Sequence, residues 1–149
     1  MRLEDEIKQQ SFRSEYHKLV VNMFFTGSWL NFRSFEMLKP FKLTPQQFNI
    51  LRILKGQFPN PATVNLLIER MLDKMSNASR IVDRLVAKKL VERKTCIKDR
   101  RCVDVRITEK GITLLEKIAE NESKFEKQFS NLSIAEAKKI NTLLDKLRG

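Results

Sequence analysis

The chain has 149 residues, 42% of them apolar, enough for one domain with a buried core that needs neither a metal nor a disulfide to fold. Its 29 Lys and Arg stand against 18 Asp and Glu, and the net charge of +11 favours a polyanionic partner through counterion release. Two cysteines and one histidine, His17, exclude a disulfide framework and a zinc quartet, and the run LVVNMFF is too short for a signal or membrane segment, so a soluble, cytoplasmic protein is expected.

Four Gly and four Pro in the whole chain argue for a mostly helical protein, undivided by a linker or repeat. Phe12, Tyr16, Leu19, Met23, Trp29 and Phe32 recur at helical spacing and predict one long helix from about Leu3 to Lys39, stopped by Pro40. Gly27 is expected to loosen its middle. Thr44-Pro45-Gln46-Gln47 carries an N-cap, a first-turn proline and a capping-box glutamine, opening a helix that buries Phe48, Leu51 and Leu54 and ends near Gln57. After a short strand at Ala62-Thr63-Val64, a third helix is expected over Asn65 to Leu72, and a fourth, capped by Asp73, to about Lys88. Leu90 to Cys96 and Cys102 to Ile107 alternate around the polar loop 97–101 and predict a two-stranded hairpin with a basic tip. Thr108 caps a long helix through Ile112, Leu115, Ile118 and Phe125, and the capping box Ser133-Ile134-Ala135-Glu136 opens a last one bearing Ile140, Leu143, Leu144 and Leu147.

Projected at about 100° per residue, the fourth helix turns Ala78, Ile81, Val82, Leu85 and Val86 to one side and Ser76, Asn77, Arg80 and Arg84 toward the other. Arginine can bond guanine O6 and N7 together, asparagine adenine N6 and N7, and a helix fits the major groove. A charged outer face is also what any solvated helix presents, and Asp83 and Ala87 on this face are not base readers. The hairpin tips the balance. From Arg84 to Arg106 nine Lys or Arg meet three Asp or Glu, a surplus of six that is more than half the chain's excess. A basic hairpin directly after helix-turn-helix fits a winged helix whose Lys98, Arg100 and Arg101 enter the minor groove.

The stretches LTPQQFNILRIL and SNASRIVDRLVAKKLVERKTCIKDRRCVDVRITEKG resemble the MarR family of transcriptional regulators over Leu43 to about Leu115. Ser79-Arg80-Ile81-Val82-Asp83-Arg84-Leu85 is similar to the family's recognition helix, and Asp99-Arg100-Arg101 with Ile107-Thr108-Glu109-Lys110-Gly111 to its wing signature. The resemblance implies a mostly α fold with a small β-hairpin wing: one domain over 1–149, a winged helix-turn-helix core at 43–110, and flanking helices at 1–39 and 111–149 that build a homodimer. It implies a regulator of transcription, a repressor in the first instance, reading a pseudo-palindromic double-stranded operator with half-sites about 34 Å apart. Ser76, Asn77, Ser79, Arg80 and Arg84 are the implied helix contacts and Lys98, Arg100 and Arg101 the wing contacts. Asp99 is expected to shape the wing by pairing an arginine, because an aspartate facing phosphate would be repelled.

Three departures from the family pattern stand out. Lys88-Lys89-Leu90 replaces the usual Lys-Gly-Leu, so a lysine must take a left-handed position. Leu72-Asp73 replaces a glycine between the third and fourth helices, and no cysteine lies in the first helix, where oxidation-sensing relatives carry a reactive one. The aromatic set Phe12, Tyr16, Phe24, Phe25, Trp29, Phe32 and Phe35 reads first as core and interface packing. The same rings could line the cleft where relatives take small lipophilic or phenolic effectors; no effector-binding residue is assigned. No cofactor, sensory metal or catalytic motif is visible. Two other readings stay open: a helical interaction or scaffold protein with a basic surface, and a redox- or metal-sensing winged helix, for which Cys96 and Cys102 across the hairpin are the thiol candidates.

Overall fold

The computed structural model describes residues 1–95 and 103–149. Lys98, Asp99, Arg100 and Arg101, expected as wing residues, and the thiol candidates Cys96 and Cys102 lie outside the described residues.

The N-terminal region holds two helices where the spacing predicts one. They are α1 (Leu3–Ile7) and α2 (Glu15–Leu38). Lys8 takes a left-handed φ of 54° and closes α1, with the Gln9 N–H donating to the Glu4 carbonyl at 3.1 Å. Ser14 opens α2, its Oγ accepting the His17 N–H at 3.1 Å. The aromatic spacing runs through the break because Phe12 packs its ring edge on His17, centroids 5.8 Å apart. Glu4 folds back to the Lys18 ammonium at 2.5 Å. Gly27 leaves α2 unbroken.

A 3₁₀ turn (Lys39–Phe41) leads to α3 (Pro45–Gln57), where Thr44 and Gln47 form the expected capping box. Then come β1 (Ala62–Thr63), α4 (Val64–Arg70) and α5 (Ala78–Ala87). The cap of α5 is Asn77 and not Asp73, and Asp73 to Ser76 form the turn between α4 and α5. Strands β2 (Val91–Thr95) and β3 (Val103–Ile107) pair antiparallel with Val91 opposite Ile107 and Thr95 opposite Val103. The hairpin is part of a three-stranded sheet in the order β1-β3-β2, because Ala62 pairs with Val105. Helices α6 (Glu109–Lys127) and α7 (Ile134–Arg148) start at the predicted caps Thr108 and Ser133.

One core joins these elements. Ile50, Leu51 and Leu54 of α3 meet Leu67 and Met71, Val82 and Leu85 of α5, Val105 of the sheet and Ile118 of α6, all essentially without solvent contact. Val86, expected on the buried side of α5, sits at the edge of that face and is 36% exposed.

Helix α5 ends in two interlocked bonds, Leu90 N–H to the Leu85 carbonyl at 3.0 Å and Lys89 N–H to the Val86 carbonyl at 2.8 Å, with Leu85 and Leu90 both buried beneath. The pattern needs a left-handed residue at Lys89, whose φ is 59°. A Cβ there is strained, so Lys89→Gly should stabilise the protein by about 1 kcal/mol, roughly 3 °C in melting temperature by calorimetry. An unchanged or lower melting temperature would mean that this turn tolerates its lysine at no cost.

Candidate nucleic-acid interface

The outer face of α5 is what the sequence predicts. Ala78, Val82 and Leu85 anchor the inner side, and Ser79, Arg80, Asp83 and Arg84 stand in solvent. The Asn77 side chain accepts the Arg80 N–H at 3.0 Å, so its oxygen holds the helix start while its amide nitrogen stays available to a partner. Ser76 is more tied. Its hydroxyl donates to Asp73 Oδ2 at 2.6 Å, and Asp73 Oδ1 accepts the Met75 N–H at 3.0 Å. These bonds, that of Ser76 first, hold the Asp73 carboxyl below the usual carboxylate range. Of the five helix candidates, Ser79, Arg80 and Arg84 form no side-chain hydrogen bond among the described residues, whereas Ser76 and Asn77 serve the turn and cap as well.

The hairpin stands beside this face. Arg93 of β2 donates to Asp83 Oδ1 at 2.6 Å, an ion pair joining strand to helix that sequence reasoning did not foresee. It also gives the one aspartate on this face a partner: paired with Arg93, Asp83 no longer presents a bare negative charge to a polyanion. The α4–α5 turn is fastened as well, because Leu72 donates its N–H to Asn49 Oδ1 at 3.0 Å and the Lys74 ammonium caps the last carbonyls of α4 at Ile68 and Glu69. Leu72 and Met75 stand out from this turn at 88% and 95% exposure. The sequence signal for them was two apolar residues in a segment otherwise made of turn formers.

The two ends of α5 are anchored differently. At the C-terminal end Lys88 donates to Gln47 Oε1 at 3.0 Å and to the Lys42 carbonyl, and burial, then the nearby Arg84 charge, lowers its pKa below that of an ordinary lysine. Residues at the start of α6 donate to three successive carbonyls: Lys110 Nζ to Lys88 at 2.9 Å, Thr108 Oγ1 to Lys89 at 2.9 Å, and Thr108 N–H to Leu90 at 3.1 Å. The end of α5 is therefore fastened to the start of α6. The N-terminal end hangs on the Asp73 turn.

Behind that turn lies a cavity of about 710 Å³ between α2, the start of α3, the Asp73 turn and α6. Phe48, Phe125, Met37 and Leu38 give it apolar walls, and Asp73, Glu122, Glu126 and Arg52 its charges. None of the rings Phe12, Tyr16, Phe24, Phe25, Trp29, Phe32 and Phe35 lines it. Trp29 packs edge-on against Phe129 of α6 at 6.0 Å, while Tyr16, Phe24 and Phe32 face solvent, at 82%, 75% and 62% exposure. Among the described residues no three His, Cys, Asp or Glu side chains converge as metal ligands.

A second surface is open. On α7 Ile134, Ile140, Leu143 and Leu147 are exposed and no residue is fully buried, so the capping box starts a helix whose apolar side stays largely open among the described residues.

Residues 41–101, the helix-turn-helix and the first half of the hairpin, match the sequence model of the MarR family. Among curated proteins none matches this chain. Among solved structures, a MepR-like protein complexed with pseudoligands is similar at 30% identity and a TM-score of 0.67, over 87% of this chain and 91% of that one. A MarR transcription factor from Planctomyces limnophilus is similar at 26% identity and a TM-score of 0.69, over 91% and 98%. MepR from S. aureus in a DNA complex shares the fold at 22% identity and a TM-score of 0.78, over 92% and 97%. With a 30%-identical relative matched over nearly its whole length and the family's own pattern across the α5 and hairpin region, this chain belongs to the MarR family of transcriptional regulators.

Proposed function

We propose that the chain is a sequence-specific double-stranded DNA-binding regulator that represses transcription by occupying a promoter and is released by a small molecule. The observation that carries this is the outer face of α5, where Ser79, Arg80 and Arg84 stand exposed while Arg93 of the adjoining strand neutralises the one aspartate among them. The S. aureus relative of the same fold is in complex with DNA. On this reading Arg80 and Arg84 enter the major groove with Ser79 and the Asn77 amide beside them, and Ser76 sets the turn. Lys98, Arg100 and Arg101 take the minor groove, with Asp99 shaping the tip. No step of this activity calls for catalysis, a cofactor or a membrane, and none of the described helices is long and apolar enough to cross one.

Selection from a random duplex library, followed by titration of the winning site at several salt concentrations, tests the reading. A palindromic winner with a steep negative dependence of affinity on salt supports it. Enrichment of no sequence would defeat it.

The second proposal concerns assembly: residues 1–39 and 111–149 pair with those of a second copy, so that two α5 helices face adjacent grooves around the winged core at 43–110. The exposed apolar sides of α2 and α7 support it, since Phe24, Phe32, Ile134, Leu143 and Leu147 are each more than half exposed in one copy. Replacing Ile140 and Leu143 with aspartate is expected to yield monomers in analytical ultracentrifugation, with helix content retained and affinity for the full palindrome reduced to that for a half-site. A double variant that still sediments as a dimer would move the interface off α7.

A further inference from the structure

The turn between α4 and α5 is built mainly of polar residues yet presents an apolar tip. Asp73 accepts the Met75 N–H at 3.0 Å and the Ser76 hydroxyl at 2.6 Å, so both its oxygens and that hydroxyl are engaged inside the turn. The Lys74 ammonium folds back onto the carbonyls of Ile68 and Glu69. What remains for an outside partner is Met75, 95% exposed, with Leu72 at 88%. The backbone of both is fastened, that of Met75 by Asp73 and that of Leu72 by Asn49 Oδ1, which accepts its N–H at 3.0 Å. A single exposed apolar residue is ordinary on any protein surface. One whose backbone is pinned while its polar neighbours satisfy one another is held out for contact.

The two residues differ in their surroundings. Leu72 borders the cavity behind the turn, and Met75 is not among the residues that line it. Met75 precedes Asn77, the cap of α5, by two residues, which keeps their Cα atoms within about 7 Å of each other. On the regulator reading, on which this inference rests, that end of α5 enters the major groove with Asn77 and Arg80. The groove offers hydrogen-bonding groups at every base pair and a single kind of apolar group, the 5-methyl of thymine. Ser79, Arg80 and Arg84 read the hydrogen-bonding edges, which thymine and uracil share. An unbranched thioether side chain meets a methyl without needing a hydrogen bond and adapts its shape to the groove.

We propose that Met75 is a specificity-determining residue that packs on the 5-methyl group of a thymine in each half-site of the operator.

Deoxyuridine provides the test, because it pairs with adenine as thymine does and lacks only the methyl group. Each thymine of the selected duplex is replaced in turn together with its symmetry mate, and affinity is read by anisotropy for the full-length parent and for Met75→Ala. In the parent, one symmetry-related pair of replacements should weaken binding about fifteenfold, or about fourfold for each methyl. Met75→Ala should bind the thymine duplex more weakly by a similar factor and lose the response at that one position, while responses at other thymines persist. Met75→Gln, which keeps the length and removes the apolar tip, should behave as the alanine variant does. Alanine retains the N–H bond to Asp73 and removes no buried surface, so its melting temperature should match that of the parent and a loss of binding is not a folding defect.

Parent binding indifferent to deoxyuridine at every position would overturn the proposal, and so would a response that Met75→Ala retains in full. A loss in Met75→Ala that is equal on thymine and deoxyuridine duplexes would set the side chain against sugar or phosphate, and no loss at all would turn the tip toward a protein partner; either result rejects the methyl contact. Enrichment of no sequence in the duplex selection sinks the regulator reading and this inference with it. A selected operator that binds tightly without methyl dependence at Met75 sinks this inference alone.

Discussion

Replacing Arg80 with alanine should weaken binding to the selected operator by about 1 to 3 kcal/mol, roughly 5- to 150-fold, and blur the preference at one base position. The side chain leaves the first turn of α5 into solvent and makes no hydrogen bond or ion pair among the described residues. Its one local bond is from its backbone N–H to Asn77 Oδ1, which alanine keeps. The variant should therefore melt with the parent, and any loss of affinity belongs to the DNA contact. Asn77 offers no such clean test, because its removal also takes the cap from α5 at a cost of about 1 kcal/mol. Anisotropy titrations on the selected site and on a scrambled duplex read both affinity and preference. Loss by the same factor on both duplexes would make Arg80 a phosphate contact, and no loss on either would mean that another face of the protein meets the groove.

Helix starts were legible in this chain wherever the cap chemistry was local. Thr44 with Gln47, Ser133 with Glu136, and Thr108 with the Gly111 N–H are bonds within three residues, so the pattern in the sequence is the structure. The left-handed Lys89 was legible only through the resemblance, which sets this lysine where relatives carry a glycine. The break between α1 and α2 was not. Ser14 is an ordinary cap signal, but apolar spacing carried straight across it, because Phe12 and Leu3 pack back along α2 in place of continuing it. At the start of α5 two cap-forming residues competed. Asp73 satisfies Met75 and Ser76 instead of beginning a helix, which leaves that role to Asn77.

What escaped the sequence at the site is non-local. The pairing of Asp83 with Arg93 depends on how the hairpin leans on α5, and no spacing rule relates a helix residue to a strand residue ten positions on. The two-residue strand β1 exists only because β3, more than forty residues away, supplies its partner. The cavity draws its walls from α2, α3, the Asp73 turn and α6, so its negative charge cannot be seen until those segments meet. Composition pointed the other way: a chain this basic gave no hint of an acidic recess. The basic face of α5 was legible because a helix sorts its residues by a fixed period, whereas which of the α2 rings pack and which stay exposed depends on where Phe129 of α6 lies.

Gly111→Ala should cost about 3 kcal/mol of stability, lowering the melting temperature by roughly 10 °C, and should impair DNA binding beyond what the unfolded fraction explains. A Cβ at this position would lie 2.4 Å from the Leu90 carbonyl oxygen and 2.7 Å from Ile107 Cγ1. Neither neighbour is free to yield. The Leu90 carbonyl accepts the Thr108 N–H, its own N–H is held by Leu85, and Ile107 is buried in pairing with Val91. Relief must come from lifting the first turn of α6 off the end of α5, which strains the bonds from Thr108 and Lys110 to the carbonyls of Lys88, Lys89 and Leu90. Those bonds tie the end of α5 to the start of α6, so on the proposed reading the same small shift that destabilises the fold tilts Arg93 away from Asp83 and the hairpin away from the groove. Gly56→Ala is the matched control, since nothing approaches within 4 Å of a Cβ there and a helical alanine should add up to about 1 kcal/mol. Calorimetry and operator titration on the two variants separate the effects. If Gly111→Ala melted and bound like the parent, the close seating of α6 on α5 would be looser than its geometry implies, and the rigid coupling of helix to hairpin would go with it.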